Sequence, residues 1–272
     1  MELENKVCLI AGATGAIGKA VAKRFLEQGA KLALVSHTSF SGRDTEFSRH
    51  ESVLLATADI RNFEEVNLLI ENTLSRFGAL DCVVNCTGIL GPIGSTAQID
   101  EKAWVSTIEV NLIGSFYLTR AALPPMLSKK HGKIIHFSGG GAAYGRPFYS
   151  AYSASKAALV RFCESIAEEL RDSRIDVNAI APGPVNSRMW DQVRALQSPD
   201  DRTAAELKKM EETGGVPPER AADLAVFLAS DRSNGLTGRL ISAVWDNWNG
   251  FEQRIPELMR SEAGTLRRVP LV

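Results

Sequence analysis

Two side chains with complementary proton chemistry, Tyr152 and Lys156, lie four residues apart in a segment with helical spacing. Side chains at that spacing share one face of a helix, so the phenol and the ammonium group would project together. A free tyrosine has a pKa of ~10, and a neighbouring ammonium group lowers it by stabilising the phenolate. The pair could therefore exchange a proton with a reacting oxygen near neutral pH. The alternative is structural: a packed tyrosine at a helix start and a lysine on a solvated face.

A glycine-rich turn, Gly12-Ala13-Thr14-Gly15-Ala16-Ile17-Gly18, follows the first apolar run and directly precedes helical spacing. Glycines here permit a tight turn, let the backbone approach a pyrophosphate and let the helix pack on the strand. The free N–H groups of the helix start would face the phosphates. No Gly-Lys-Ser/Thr follows, which argues against a nucleoside-triphosphate loop. The turn predicts a dinucleotide site, although such turns also occur with a purely structural role.

The choice of nucleotide depends on the end of the second predicted strand. An NAD site usually places an acidic residue there, bonded to the ribose 2′-hydroxyl. This strand ends in neutral donors, Ser36 and His37, and Arg43 is close in sequence. A carboxylate at this position would repel a 2′-phosphate, and none is present. The sequence therefore favours NADP(H), with NAD(H) possible. His37 could equally be an exposed loop histidine.

The segments that would position these residues alternate between apolar strands and amphipathic helices. The predicted strands are residues 6–11, 31–35, 53–57, 81–85, 133–137, 175–180 and 240–243. The predicted helices are residues 16–28, 62–77, 101–127, 153–171 and 219–229, the third bent or ended near Pro124-Pro125. This alternation predicts an α/β fold: a single doubly wound Rossmann-type domain, with a parallel sheet of six to seven strands and helices on both faces.

Composition and length narrow the possible classes. Residues 1–245 are predicted to form one dinucleotide-binding catalytic domain, with a substrate loop within 186–218, and residues 246–272 a C-terminal extension packed on it or on an oligomer partner. The net charge of −1 suggests no affinity for nucleic acid or membranes. The four cysteines are expected to be buried thiols in a reducing cytoplasm, with no metal site. The N-terminus lacks the pattern of a signal peptide, so we expect a cytoplasmic protein.

Several short motifs occur in a set order along the chain. They are the glycine turn, Asp59-Ile60, Asn85-Cys86-Thr87-Gly88, Asn111, Ser138, Tyr152-x-x-x-Lys156 and Pro182-Gly183. Together they resemble the short branch of the short-chain dehydrogenase/reductase (SDR) family over residues 1–245. The resemblance implies an NAD(P)-dependent oxidoreductase (EC 1.1.1.-) that transfers hydride between nicotinamide and a carbonyl or secondary alcohol.

The resemblance also implies roles for individual residues. Tyr152 would be the general acid/base, Ser138 would bind the substrate oxygen, Asn111 would hold a water in a proton relay, and Lys156 would hold the nicotinamide ribose. The implied cofactor-binding residues are Gly12, Thr14, Gly15, Ile17, Gly18, Ser36, His37, Asp59, Ile60, Asn85, Thr87, Gly88, Tyr152, Lys156, Pro182, Val185 and Ser187. Family members are usually homodimers or homotetramers, joined here through residues 101–127 and 153–171.

Three features depart from the family pattern. The glycine spacing is that of the extended branch, which includes sugar-nucleotide epimerases and dehydratases. Ser138 is one residue further from Tyr152 than usual, and the usual position falls on Gly139. A one-residue bulge would have to bring the Ser138 hydroxyl into place. Otherwise Tyr144, Ser150 or water would take the role of this hydroxyl. Thr87 replaces the usual alanine. Two alternatives therefore stay open: a cofactor-binding sensor or scaffold without turnover, and an epimerase or dehydratase.

Overall fold

The computed structural model describes residues 1–40, 47–269 and 271. Its centre is a seven-stranded sheet in the order β3-β2-β1-β4-β5-β6-β7, with every neighbouring pair parallel. The strands are β1 Val7–Ala11, β2 Lys31–Ser36, β3 Val53–Thr57, β4 Cys82–Asn85, β5 Gly132–Phe137, β6 Ile175–Ala181 and β7 Leu240–Ser242. The chain order reverses between β1 and β4, and such a switch point opens a crevice at the carboxyl ends of the strands. The doubly wound fold predicted from the sequence is confirmed.

Helices cover both faces of the sheet. They are α1 Ala16–Glu27, α2 Phe63–Phe77, α3 Glu101–Ile108, α4 Gly114–Lys129, α5 Ser150–Glu169, α6 Arg188–Arg194, α7 Asp201–Thr213, α8 Pro218–Ala229 and α9 Ile255–Arg260. Alternate residues of β1 belong to two apolar cores: Cys8 and Ile10 pack on one face, and Leu9 and Ala11 on the other. Because both faces are buried, the residues of β1, β2 and β4 are almost all apolar, with no alternation of polar and apolar side chains.

The long helix predicted over residues 101–127 is wrong in two details. A π-helical turn, Glu109–Ile113, separates α3 from α4, and α4 continues through Pro124 and Pro125 to Lys129. A proline inside a helix removes a backbone hydrogen bond. Packing compensates here, since Met126 beside the prolines is fully buried against the apolar core.

The segment predicted as a substrate loop, residues 186–218, contains the two helices α6 and α7. Asp200 accepts hydrogen bonds from the first backbone N–H groups of α7, and Gly214 ends this helix in the left-handed conformation. Both residues are signals that helix-capping rules recognise. The segment is therefore more ordered than the sequence analysis predicted.

The chain after Val244 folds back onto the domain. Trp248 lies against Phe227 of α8, with ring centroids 6.1 Å apart. The Leu240 N–H at the edge of β7 donates to the Gly264 carbonyl at 2.7 Å, which pairs a backbone group that an edge strand would leave open. Across the ranges that the structure describes, no helix has the length and apolar character needed to cross a membrane.

Candidate active site

The glycine turn lies at the carboxyl end of β1, beside the end of β4. Gly12 has a φ of +76°, and a Cβ there would lie 2.9 Å from the backbone of Cys86 and Thr87. A Cβ on Gly18 would lie 2.2 Å from the Gly12 carbonyl oxygen. Neither contact is possible for a real Cβ, so only glycine permits this close packing. The turn therefore packs tightly against the end of β4 and the start of α1, which is the close packing that a dinucleotide-binding turn requires.

The rest of the turn also suits a dinucleotide. Gly15 precedes α1 and makes no side-chain cap, so the N–H groups of the first helical turn have no side-chain partner from the cap residue. Such a helix start attracts phosphate. Ile17 packs partly against the core, and the Thr14 hydroxyl lies 3.1 Å from the Ser36 hydroxyl at the end of β2.

The predicted adenosine-side residues lie at the ends of β2 and β3. Ser36 is buried and accepts a hydrogen bond from the Thr38 N–H. The exposed His37 ring places Nε2 3.5 Å from an Asp59 carboxylate oxygen. Asp59 accepts three side-chain hydrogen bonds from Arg61, two from Nε at 3.0 Å and one from a terminal nitrogen at 2.6 Å, which hold the pKa of this carboxyl below its usual range. Sequence reasoning missed both the contact of His37 with Asp59 and the role of Arg61.

Two sequence-predicted features on this side need separate mention. The Ile60 side chain is buried against Gly114 of α4, where a Cβ would come within 2.6 Å of it, so it points into the core. Arg43, which the sequence analysis noted as close in sequence to the end of the second strand, lies outside the described residues.

Asn85 organises the chain as it leaves β4. Its amide donates to the Ser115 hydroxyl at 2.9 Å and accepts from the Thr87 N–H at 3.0 Å. Gly88 follows, and a Cβ there would lie 3.2 Å from Lys156 Nζ and 3.3 Å from Asn111 Oδ1. The segment thus connects the glycine turn to the residues predicted to do the chemistry.

Asn111 is presented by the π-helical turn and is fully buried. Its Nδ2 donates to the Ile89 carbonyl and the Ser155 hydroxyl, both at 2.9 Å, and its Oδ1 accepts from the Ile89 N–H. Single π turns often occur at functional sites. The side chain is held rigidly, and its predicted role with a water molecule stays a prediction.

Tyr152 and Lys156 lie together on the first turns of α5, and both are buried. Lys156 Nζ is 5.9 Å from the centre of the Tyr152 ring and donates to the Phe137 carbonyl at 2.8 Å. The common face predicted from their spacing is therefore present. The pair lies at the end of β5, next to Gly88.

The electrostatics of the pair differ from the sequence-based expectation. Burial raises the pKa of Tyr152 to about 12, against an opposing contribution from the charge of Arg146. Burial also lowers the pKa of Lys156 to about 8. The expectation that Lys156 lowers the pKa of Tyr152 is wrong for the protein alone, because desolvation disfavours the charged form of each group.

The glycine run after β5 places Gly139, and not Ser138, against the catalytic candidate. A Cβ on Gly139 would lie 2.2 Å from the Tyr152 hydroxyl oxygen. Ser138 continues the line of β5, its N–H donating to the Ile180 carbonyl, and its hydroxyl lies 3.5 Å from the Lys156 carbonyl oxygen. The structure therefore shows no bulge that turns the Ser138 hydroxyl towards Tyr152, and the substrate-binding role of Ser138 stays a prediction.

The predicted nicotinamide-side residues follow β6. Pro182 and Val185 are buried, and Gly183 between them has a φ of +80°. Ser187 precedes α6 without capping it through its side chain. Because β6 is parallel to β1 and β4, this loop lies at the same edge of the sheet as the glycine turn.

A wall of the site comes partly from the segment predicted as a substrate loop, residues 186–218, and partly from residues that the sequence analysis did not assign. Tyr152 packs with Leu90, Tyr149 and Val193. Further apolar side chains pack against this group: Ile93, Met189, Trp190, Leu196 and Leu207. Arg146 belongs to the same region, with its guanidinium carbon 4.0 Å from the centre of the Tyr149 ring. The segment 186–218, which includes α6 and α7, supplies several of these side chains, whereas no motif marked Leu90, Ile93 or Arg146.

Comparison with known proteins bears on this geometry. The family described as short chain dehydrogenase matches residues 6–198. The chain belongs to this family. It is 34% identical over 245 residues to the (2S)-[(R)-hydroxy(phenyl)methyl]succinyl-CoA dehydrogenase subunit BbsD of Thauera aromatica, covering 89% of this chain and 96% of that one. It is 31% identical over 245 residues to the 3-oxoacyl-[acyl-carrier-protein] reductase FabG of Thermotoga maritima. That match covers 89% of this chain and 97% of the reductase.

Solved structures agree with this membership. An actinorhodin polyketide ketoreductase variant with NADPH is similar at a TM-score of 0.78 and 27% identity, covering 87% of this chain and 95% of that one. ElxO with NADP bound is similar at a TM-score of 0.75 and 25% identity, covering 88% and 96%. Because the chain covers nearly the whole length of its relatives, the short-branch resemblance is confirmed, and the relatives support an oxidoreductase.

Proposed function

We propose that this SDR protein transfers hydride between NADP(H), or NAD(H), and a carbonyl or secondary alcohol, with Tyr152 as general acid/base. The observation that carries the proposal is the buried Tyr152–Lys156 pair beside a glycine turn that only glycine can form. The relatives support the same class of reaction, since their names include dehydrogenases and reductases.

The residues fit a nicotinamide dinucleotide. The backbone of the glycine turn and the start of α1 would hold the pyrophosphate. The bound nucleotide would supply the hydride in reduction and accept it in oxidation. The neutral end of β2, with Ser36 and His37, would accept a 2′-phosphate, and similar solved structures hold NADP or NADPH. The nearby Asp59 is already paired with Arg61, which reduces its repulsion of that phosphate.

The protein's own side chains would contribute proton transfer at a buried tyrosine. Tyr152 would donate its hydroxyl proton to the carbonyl oxygen as negative charge develops there. A phenol with a pKa of about 12 is still protonated at neutral pH, so it is ready to donate. Lys156 would bind the nicotinamide ribose and stabilise the phenolate that remains. Asn111 would order the relay that returns a proton to Tyr152.

Steady-state assays test this proposal directly. The purified protein should consume NADPH or NADH with members of a panel of ketones and aldehydes. Tyr152→Phe should lower kcat by more than about 100-fold, because it removes the general acid. Tyr117→Phe is the matched control, since Tyr117 lies on α4 against Phe63 and Phe116, away from the site. Equal activity of Tyr152→Phe and wild type would contradict the proposal.

A nucleotide-binding sensor without turnover is the second candidate. Gly139 favours it, because the family's usual serine position carries no hydroxyl here. Calorimetry that shows tight nucleotide binding, together with no turnover across the carbonyl panel, would support the sensor over the enzyme.

A further inference from the structure

Arg146 stands in the loop between β5 and α5, next to the proposed acid/base. Its guanidinium group stacks on Tyr149, which packs in the same apolar group as Tyr152. The side chain is only 11% exposed. One terminal nitrogen pairs with the carboxylate of Glu206 on α7, so the guanidinium connects the loop to the helix that forms the wall of the site.

The hydrogen bonding of Arg146 is incomplete. Its Nε is buried and has no acceptor among the described residues. A guanidinium group has five N–H donors in a fixed plane, and a buried donor without a partner is destabilising because it loses its hydrogen bonds to water without replacement. Native proteins leave few such groups unpaired, and an unmet donor at a site wall suggests an acceptor that arrives with a ligand.

The local charges also favour an anion. Glu206 is shared between Arg146 and Arg202, whose Nε lies 3.3 Å from it. Two cations therefore meet one carboxylate. The next acidic side chain, Asp200, is occupied in capping α7, where it accepts from the N–H groups of Arg202 and Thr203 and from the Thr203 hydroxyl. Among the described residues, Glu206 is the carboxylate that pairs with both guanidinium groups, and Asp200 bonds instead to the start of α7.

We propose that Arg146 binds a carboxylate of the substrate, so that the compound reduced at Tyr152 is a keto acid with an apolar or aromatic body. The planar fork of arginine matches a carboxylate, and the apolar side chains around Tyr149 match the body. The assignment rests on the proposed oxidoreductase function and names its substrate class. Arg146 is a specificity-determining residue in this scheme, because it binds a part of the substrate that does not react.

The test compares keto acids with their methyl esters. Aryl and alkyl keto acids with one to three methylene groups between carbonyl and carboxylate would be assayed beside the matching esters, with NADPH and NADH. Wild type should prefer at least one acid over its ester. Arg146→Gln should lower kcat/KM for that acid by about 10- to 100-fold relative to the matching ester, chiefly through KM.

Three further variants separate binding from folding. Arg146→Lys keeps the charge and should retain part of the acid preference. Glu206→Gln frees Arg146 and should lower KM for acids. Arg194→Gln is the control, since Arg194 hydrogen-bonds to Asp191 and Asn186 within its own segment. Thermal unfolding and nucleotide binding of each variant report whether the domain is intact.

The outcomes distinguish this inference from the function on which it rests. Turnover of esters and acids with equal efficiency, or equal losses for both in Arg146→Gln, would overturn the carboxylate site and leave the oxidoreductase standing. Arg146 would then be a structural link between the loop and α7. A wild-type protein that binds nucleotide but reduces neither acids nor esters nor neutral ketones would contradict the proposed function and this inference together.

Discussion

Introducing a side chain at position 139 should lower the catalytic rate and the stability of this enzyme. We expect this although the family's usual serine falls at this position. Gly139 has no positive φ, so alanine or serine meets no backbone strain at this residue. The obstacle is steric: the new Cβ would lie 2.2 Å from the Tyr152 hydroxyl oxygen and 3.0 Å from the ring carbon that bears it. The phenol must move for either variant to fold.

The size of the effect follows from that distance. Ordinary contact begins near 3.4 Å, so the Tyr152 hydroxyl must shift by roughly 1 Å. A displacement of about 1 Å at a reacting group costs about 100-fold in rate, which is about 3 kcal/mol of barrier. Overpacking should also lower the free energy of unfolding by about 1–3 kcal/mol.

The assay is kcat with the best carbonyl substrate for wild type, Gly139→Ala and Gly139→Ser, with thermal unfolding and nucleotide Kd measured in parallel. Gly140→Ala is the matched control, because its Cβ would make only an ordinary contact at 3.5 Å, with the Tyr144 hydroxyl. This control should keep kcat within about threefold. A kcat in Gly139→Ser equal to or above that of wild type would refute the steric reasoning, because it would show that Tyr152 tolerates a side chain at this position.

Two other predictions follow from the site. Lys156 has a folded pKa of about 8 against ~10.4 when unfolded, so its burial opposes folding below pH 8 and ceases to do so as the pH rises through that window. The free energy of unfolding of wild type should therefore rise, relative to that of Lys156→Met, by about 3 kcal/mol between a pH of about 8 and one of ~10.4. Urea titrations at several pH values measure this difference. A difference that does not change with pH would contradict burial of the Lys156 ammonium group. Ser36→Asp places a carboxylate at the end of β2 and should lower the ratio of kcat/KM for NADPH over NADH by at least about 10-fold; an unchanged ratio in steady-state assays would show that the 2′-phosphate lies elsewhere.

Local rules were enough to predict the framework of the fold. Apolar runs identified the strands because both faces of the sheet are buried. The helix predicted over residues 62–77 is α2, which Asn62 and Gly78 cap, and both are residue types that the capping rules favour at these positions. The helix through Pro124 and Pro125 was mispredicted because tertiary packing of α4 outweighs the local cost of proline. The π turn that presents Asn111 has no composition signal of its own.

The candidate site was predictable where one element carries both partners, as α5 does for Tyr152 and Lys156. It was less predictable where distant segments meet. The contact of His37 with Asp59 joins the ends of two strands, and that of Arg146 with Glu206 joins a loop to α7. The pKa of Tyr152 was mispredicted for the same reason. Desolvation depends on all the groups that pack around the phenol, whereas sequence spacing identifies only its neighbours along the chain.

The most direct test of the proton-transfer role is the pKa of Tyr152 with and without oxidised nucleotide, from the ultraviolet difference between wild type and Tyr152→Phe. The free protein should titrate near pH 12. Bound NADP⁺ brings a positive charge beside the phenol, so the pKa should fall by more than one unit, towards the range in which Tyr152 accepts a proton from an alcohol. A pKa that stays near 12 in the complex, or a Tyr152 that titrates like an exposed tyrosine, would contradict its role as the general acid/base.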